Sequence, residues 1–270
     1  MTTTAAPIGD AATFLFVPGG RPERFAKAAA AGADVVILDL EDAVAPESKD
    51  TARDEVAAWV AAGNQCVVRI NACRTPWHER DLAALAGSGC AVMLPKAQYP
   101  ADVSRVVDAI GESATVALIE TARGVLAAQQ IAAVPGVTRL AFGSFDLAAE
   151  LAVDPADRHA LLGARNALVL ASAAAGLPGP VDGVTAEIDN PAVLSDEAQY
   201  GRRLGFSGKL CIHPRQISVV AAALRPTDVE RAWAQRVLTS VTVDGVGVVD
   251  GAMVDRPVID RANRILRRFA

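Results

Sequence analysis

The strongest constraint on this chain is a repeated alternation. Short apolar runs rich in Val, Ile and Leu are separated by longer, Ala-rich amphipathic segments. The runs are Phe14–Pro18, Val35–Leu40, Cys66–Ile70, Ala91–Leu94, Val116–Ile119, Arg139–Phe142, Val181–Val184 and Lys209–Ile212. Each is short enough to be a strand, and most are apolar on both faces, as in a parallel sheet covered by helices. The segments between them, among them Pro22–Ala31, Glu47–Ala62, Trp77–Ala86 and Arg123–Ala133, read as helices. Pro22 suits a first helical turn, and Gly32 and Gly63 suit helix ends. Eight such units predict an α/β fold closed into a (β/α)8 TIM barrel. No G-x-G-x-x-G follows the first strand, which weakens a dinucleotide-binding reading.

The length of 270 residues suits one barrel. Residues 1–225 are expected to form the barrel, and 226–270 a C-terminal helical extension packing on its own or a neighbouring barrel. An added helix is expected over Pro155–Ala175, before the turn GLPGP. The tail reads as a helix (Asp228–Thr239), a strand-like stretch (Gly245–Val249) and a basic helix (Ile259–Phe269).

Several function classes lose support. A formal charge of −5 argues against general nucleic-acid binding. MTTTAAPIGD lacks the basic and apolar regions of a signal peptide, and no apolar run reaches the roughly 18 residues needed to cross a bilayer, so a cytoplasmic protein is expected. Cys66, Cys73, Cys90 and Cys211 form no C-x-x-C pair and read as small buried thiols in a reducing compartment. There is no H-E-x-x-H, G-x-S-x-G or G-x-x-x-x-G-K-[ST].

In a barrel, catalytic groups come from the C-terminal ends of strands. Polar residues cluster there: Pro18-Gly19-Gly20-Arg21, Asp39-Leu40-Glu41-Asp42, Arg69-Ile70-Asn71, Pro95-Lys96, Glu120-Thr121, Ser144-Phe145-Asp146 and His213-Pro214. Glu120 and Asp146 follow consecutive strands, so their carboxylates are placed to converge, with waters and substrate oxygens, on a Mg2+ ion. The competing reading gives each a salt bridge or a helix cap, the latter for Asp146 in particular. Arg69 follows an apolar run and needs an anion, either Asp39 or Glu41 on the neighbouring strand or a substrate carboxylate; spacing does not choose between them. Lys96 at a strand end is a weaker candidate for Schiff-base chemistry. His78 and His159 read as exposed helical residues, and His213 as either a pocket residue or a structural hydrogen-bonder.

The stretches LFVPGGRPERFAKAAAAGADVVILDLEDAV, VVRIN, VMLPKAQ, ALIETARG, LAFGSFDLAAEL, PVDGVT, LGFSGKLCIHPRQ and DGAMVDRPVIDRA resemble the HpcH/HpaI aldolase/citrate lyase family over nearly the whole chain. The likeness is to its citrate lyase beta-subunit-like, malyl-CoA and citramalyl-CoA lyase group. The resemblance implies a carbon–carbon lyase that uses Mg2+, acts on an acyl-CoA and a 2-oxo acid, and assembles as a homotrimer or dimer of trimers. It assigns Glu120 and Asp146 as metal ligands and Arg69 as the grip on the substrate carboxylate. Phe16, Arg21 and Lys27, with the backbone around Phe145–Asp146 and Ile212–His213, become substrate contacts. Asp255 becomes the acid/base on the acetyl-CoA methyl carbon, donated across a subunit interface. Many members begin R-S-x-L-F-V-P; here the segment is Ala12-Thr13-Phe14-Leu15-Phe16-Val17-Pro18, so one first-strand anchor is missing. A metal-dependent aldolase on free 2-oxo acids, a beta subunit of a larger lyase complex and a non-catalytic CoA-binding regulator are the rival readings.

Overall fold

Eight parallel strands close in chain order: β1 (Thr13–Pro18), β2 (Val35–Asp39), β3 (Val67–Arg69), β4 (Ala91–Leu94), β5 (Thr115–Ile119), β6 (Val137–Phe142), β7 (Val181–Asp182) and β8 (Gly208–Cys211). The structure, a computed structural model, describes residues 8–241 and 246–267. These fall into two compact units divided between Ala223 and Leu224. Thr13 pairs with Lys209 to close the ring.

The strands are connected by α1 (Phe25–Ala29), α2 (Lys49–Ala61), α3 (His78–Leu85), α4 (Pro100–Ile110), α5 (Ala122–Ala132), α6 (Ser144–Leu151), α7 (Leu162–Ala174) and α8 (Pro191–Leu204), and α9 (Arg215–Leu224) follows β8. Pro22 opens a 3-10 turn, Pro22–Arg24, that leads into α1. The added helix expected from Pro155 begins only at Leu162. Asp154 and Asp157 accept the backbone N–H groups of Ala156 and His159, folding that stretch into turns instead. β7 stops at Asp182, short of Val184; its pairing with β6 is the single Ala141–Val181, and its pairing with β8 ends at Asp182–Lys209.

Successive strand side chains point to opposite faces. One set, including Phe14, Val35, Ile37, Val67, Met93, Val116, Leu118 and Leu210, forms a single buried cluster that fills the barrel. The other set, including Leu38, Val68, Val92 and Leu140, is buried beneath the helices. The same parity carries the first set on to Asp39, Arg69 and Glu120 at the C-terminal mouth. The lumen is therefore apolar below and charged at the top.

Arg139 closes the floor. It is fully buried and donates to the carbonyls of Ile8, Gly9, Ala11 and Gly179 and to the Ser207 hydroxyl. Its guanidinium lies 5.3 Å from the Phe14 ring centroid. Arg139→Met removes the donor to the Ile8, Gly9 and Ala11 carbonyls, the last of them buried, while Gly179 keeps the Ser207 hydroxyl. The substitution is expected to lower stability by about 3 kcal/mol or more, roughly 6–12 °C in Tm, in a thermal melt.

The second unit holds α10 (Asp228–Ser240), a hairpin of β9 (Gly247–Val249) and β10 (Ala252–Val254), and α11 (Arg256–Arg267). Ala234, Val237, Val249, Val254 and Ala262 form its core, and Thr227 with Glu230 makes a capping box at α10. Gly245 and Phe269, expected ends of the tail elements, lie outside the described residues. The last helix starts earlier than Ile259 because Asp255 caps it, Val258 N–H donating to Asp255 Oδ1 at 3.4 Å. Among the described residues no helix is long and apolar enough to cross a membrane.

Candidate active site

The mouth of the barrel gathers Asp39, Glu41, Arg69, Lys96, Glu120 and Asp146, all from the ends of β2 to β6 or the connections that follow. Glu120 is 3 % exposed. Its Oε1 accepts the Lys96 N–H at 2.8 Å. Burial, then the charges of Glu41 and Asp146, push its carboxyl up to about 8, against the pull of Arg69. Asp146 lies in the first turn of α6, half exposed, and Gly143 occupies the N-cap, so Asp146 is not the cap.

Arg69 settles on an internal partner. Its Nε and Nη2 donate to both oxygens of Asp39 at 2.7 Å, a bidentate grip, and Nη1 lies 3.2 Å from Glu41 Oε2. Burial opposes its charge, but the bond to Asp39 and the charges of Asp39, Glu41 and Glu120 outweigh that and raise its pKa. The guanidinium also stacks over Phe16 at 4.8 Å. Asp39 in turn accepts the N–H groups of Glu41 and Ala43, fixing the turn after β2.

Lys96 donates to Glu41 Oε1 at 2.6 Å and lies 3.8 Å from Asp146 Oδ2. Burial works to lower its pKa, yet the Glu41 bond and the charges of Glu41 and Glu120 leave it raised. It is held as an ammonium, which disfavours the Schiff-base role, since that needs a free amine.

With Asp42, 3.8 Å from Arg69, and Lys49, whose ammonium feels the charges of Asp39 and Glu41, five carboxylates face three cations at the mouth, an excess of negative charge that a divalent cation matches. Among the described residues no group of three or more His, Cys, Asp or Glu is arranged to hold a metal ion. Glu120 and Asp146 are a pair, and a pair suits Mg2+, which binds through one or two carboxylates and fills its other positions with water and substrate oxygens.

Gly143 matters for a reason the sequence pattern did not show. A methyl group there would overlap Glu120 Oε2 and Cβ. Gly143→Ala is expected to displace Glu120 and weaken Mg2+ binding by about 10–100-fold, measured by titration calorimetry.

The other sequence candidates follow β1, β6 or β8 in the chain or lie in the second unit. Arg21 and Lys27, after β1, are exposed; Arg21 has Glu23 at 3.9 Å. Phe145 and Ile212 are exposed apolar residues on the connections after β6 and β8. His213 is half buried, and its Nδ1 accepts the Arg215 N–H at 3.2 Å. Asp255 is exposed in the second unit, at the start of α11. His159 is exposed but sits in a turn. His78 corrects the expectation of an exposed helical residue: it is buried, with Nδ1 2.8 Å from the Asn71 carbonyl and Nε2 3.6 Å from Cys73 Sγ.

A cavity of about 440 Å3 lined by Cys73, Arg74, His78, Asp102 and Arg105 lies outside the barrel, beside α3 and α4, and its lining includes neither Glu120 nor Asp146. Burial, followed by the charge of Asp102, pushes the Cys73 thiol up to about 11, so it is no thiolate nucleophile there. All four cysteines are free; Cys90 and Cys211 are buried, Cys66 and Cys73 half-buried.

Residues 12–214 match the HpcH/HpaI aldolase/citrate lyase family. A citrate lyase subunit beta-like protein of Mycobacterium tuberculosis is 42% identical over 263 residues, covering 94% of both chains. A (3S)-malyl-CoA thioesterase of Cereibacter sphaeroides is 36% identical over 265 residues, covering 94% of this chain and 93% of the relative. The crystal structure of the M. tuberculosis protein CitE in complex with magnesium, acetoacetate and coenzyme A superposes with a TM-score of 0.85 at 41% identity, covering 96% of this chain and 98% of that one.

Proposed function

The chain belongs to the HpcH/HpaI aldolase/citrate lyase family, and from that premise we propose that it is a Mg2+-dependent carbon–carbon lyase. Its substrate is a β-hydroxyacyl-CoA such as citramalyl-CoA, malyl-CoA or citryl-CoA, which it splits into acetyl-CoA and a 2-oxo acid or forms from them. The observation that carries this reading is the buried Glu120 beside Asp146 at a mouth with surplus negative charge. The similarity to a structure containing magnesium, acetoacetate and coenzyme A supports it.

In this reading Glu120 and Asp146 hold Mg2+. The ion supplies positive charge where negative charge develops on the substrate oxygen. Arg69 is pre-oriented by Asp39 and retains N–H donors for the substrate carboxylate. Exposed Arg21 and Lys27 offer cations to the CoA phosphates, and Phe16, Phe145 and Ile212 offer apolar surface, with His213 beside them. In cleavage the substrate hydroxyl gives up its proton to solvent water and the carbon–carbon bond breaks. The electron pair passes into the thioester as an enolate, and Asp255 delivers the proton that makes acetyl-CoA. In condensation Asp255 removes that proton instead. We assign Asp255 to a site completed by a neighbouring chain, in a homotrimer or dimer of trimers.

The test is a panel of hydroxyacyl-CoA esters and the matching free acids with Mg2+, read by mass spectrometry. Acetyl-CoA plus a 2-oxo acid is the expected result. Release of the intact hydroxy acid with free CoA would replace cleavage with thioester hydrolysis, the activity for which the Cereibacter relative is named. Turnover of free acids alone would replace the reading with an aldolase.

A further inference from the structure

Of the carboxylates at the mouth, the chemistry above makes only Glu120 and Asp146 metal ligands. Asp39 is fully engaged: both oxygens are held by Arg69 and both also accept backbone N–H groups. Glu41 is not. Its Oε2 is buried without a hydrogen bond, facing Arg69 Nη1 at 3.2 Å. Its Oε1 is held by Lys96, and the same ammonium lies 3.8 Å from Asp146 Oδ2. One cation therefore stands between Glu41 and a proposed metal ligand. The Lys96 backbone adopts φ 49°, a left-handed conformation uncommon for a residue with a side chain, and its N–H is fixed on Glu120. Lys96 thus touches both proposed ligands and the surplus acid.

We propose that Lys96 is a positioning residue that withholds Glu41 from the metal's coordination sphere. This rests on the assignment of Glu120 and Asp146 as the ligands. Mg2+ demands close to six positions, and substrate chemistry needs several of them open. A third carboxylate would fill one position and tighten the ion while weakening substrate chelation. Ca2+ accepts six to eight oxygens in flexible geometry, so an extra ligand favours it more.

The experiment titrates folded wild type, Lys96→Met, Lys96→Gln, Glu41→Gln and the Lys96→Met/Glu41→Gln double variant with Mg2+ and with Ca2+ by calorimetry. Lys96→Met is expected to bind Mg2+ about tenfold tighter, to gain more for Ca2+ than for Mg2+, and to raise KM for the acyl-CoA. The double variant is expected to return towards wild type. Lys96→Gln keeps an N–H donor for Glu41 without the charge, should gain less, and serves if the Met variant fails to fold. Unchanged or weaker Mg2+ binding in a folded Lys96 variant overturns the proposal and makes Lys96 a scaffold residue. Equal tightening for both ions also overturns it, because lost positive charge alone does that. If Glu120→Gln binds Mg2+ like wild type, the ligand assignment itself falls, and this proposal with it.

Discussion

Glu120→Gln is expected to reduce Mg2+-dependent cleavage by three orders of magnitude or more, the loss of several kcal/mol of charge stabilisation at the reacting oxygen. The change is nearly isosteric, and the amide oxygen still accepts the Lys96 N–H that holds the native carboxylate. A control separates this from misfolding. In the metal-free protein the Glu120 carboxyl, raised to about 8, gives the fold its full benefit only when protonated. That benefit is complete below the ordinary carboxylate pKa and is lost as the pH rises towards 8. The glutamine variant has no such loss. At pH 8 without metal it should melt higher than wild type, and Mg2+ should raise the Tm of the wild type alone. A variant that melts lower and still responds to Mg2+ would remove Glu120 from the metal site.

The second large effect belongs to Asp255→Asn. Loss of a positioned acid/base costs typically 10²–10⁴-fold, so cleavage should fall by that factor, and deuterium exchange from the acetyl-CoA methyl should stop. Binding of pyruvate or glyoxylate should be spared, because the role proposed for Asp255 is proton transfer and not holding the 2-oxo acid. The substitution keeps the local fold, since asparagine caps a helix as well as aspartate does and Asp255 caps α11. Mixing inactive Asp255→Asn with inactive Glu120→Gln subunits tests the shared site. If one chain completes another's site, some mixed sites carry both native residues and activity returns. If exchange persists in Asp255→Asn, the tail aspartate is not the acid/base.

The barrel was legible because a parallel strand buried on both faces leaves an apolar run that polar helices cannot imitate, and all eight runs became strands. The strand ends were less so. Ile70, Val184 and Ile212 look like strand residues, but each lies past the last ladder pairing of its strand. The charged mouth was visible as residues, not as partners. Asp39 and Glu41 could be named as counter-ions for Arg69, but the bidentate geometry that favours Asp39 depends on register, Asp39 sitting directly beside Arg69. The hold of the Lys96 N–H on Glu120 is a backbone contact and leaves no trace in side-chain chemistry. His78 was misread for a related reason. It shares a buried face with Asp81, Leu82 and Leu85, and the polar half of that face is satisfied by Asn71, which the chain brings back from the end of β3. Polar residues at helical spacing look solvated until their partners are known.

The floor built by Arg139 bears on how the molecule reaches its native state. Its bonds to Ile8 and Ala11 span 131 and 128 positions, and the β1–β8 ladder joins the first strand to the last. Local β/α units can assemble early, but these contacts wait for the whole chain, since closing long loops is entropically costly before the contacts reward it. Until then β1 and β8 are open edges that other unfinished chains can pair with. Refolding speed is therefore expected to be set by closing the ring, and its yield to fall as protein concentration rises.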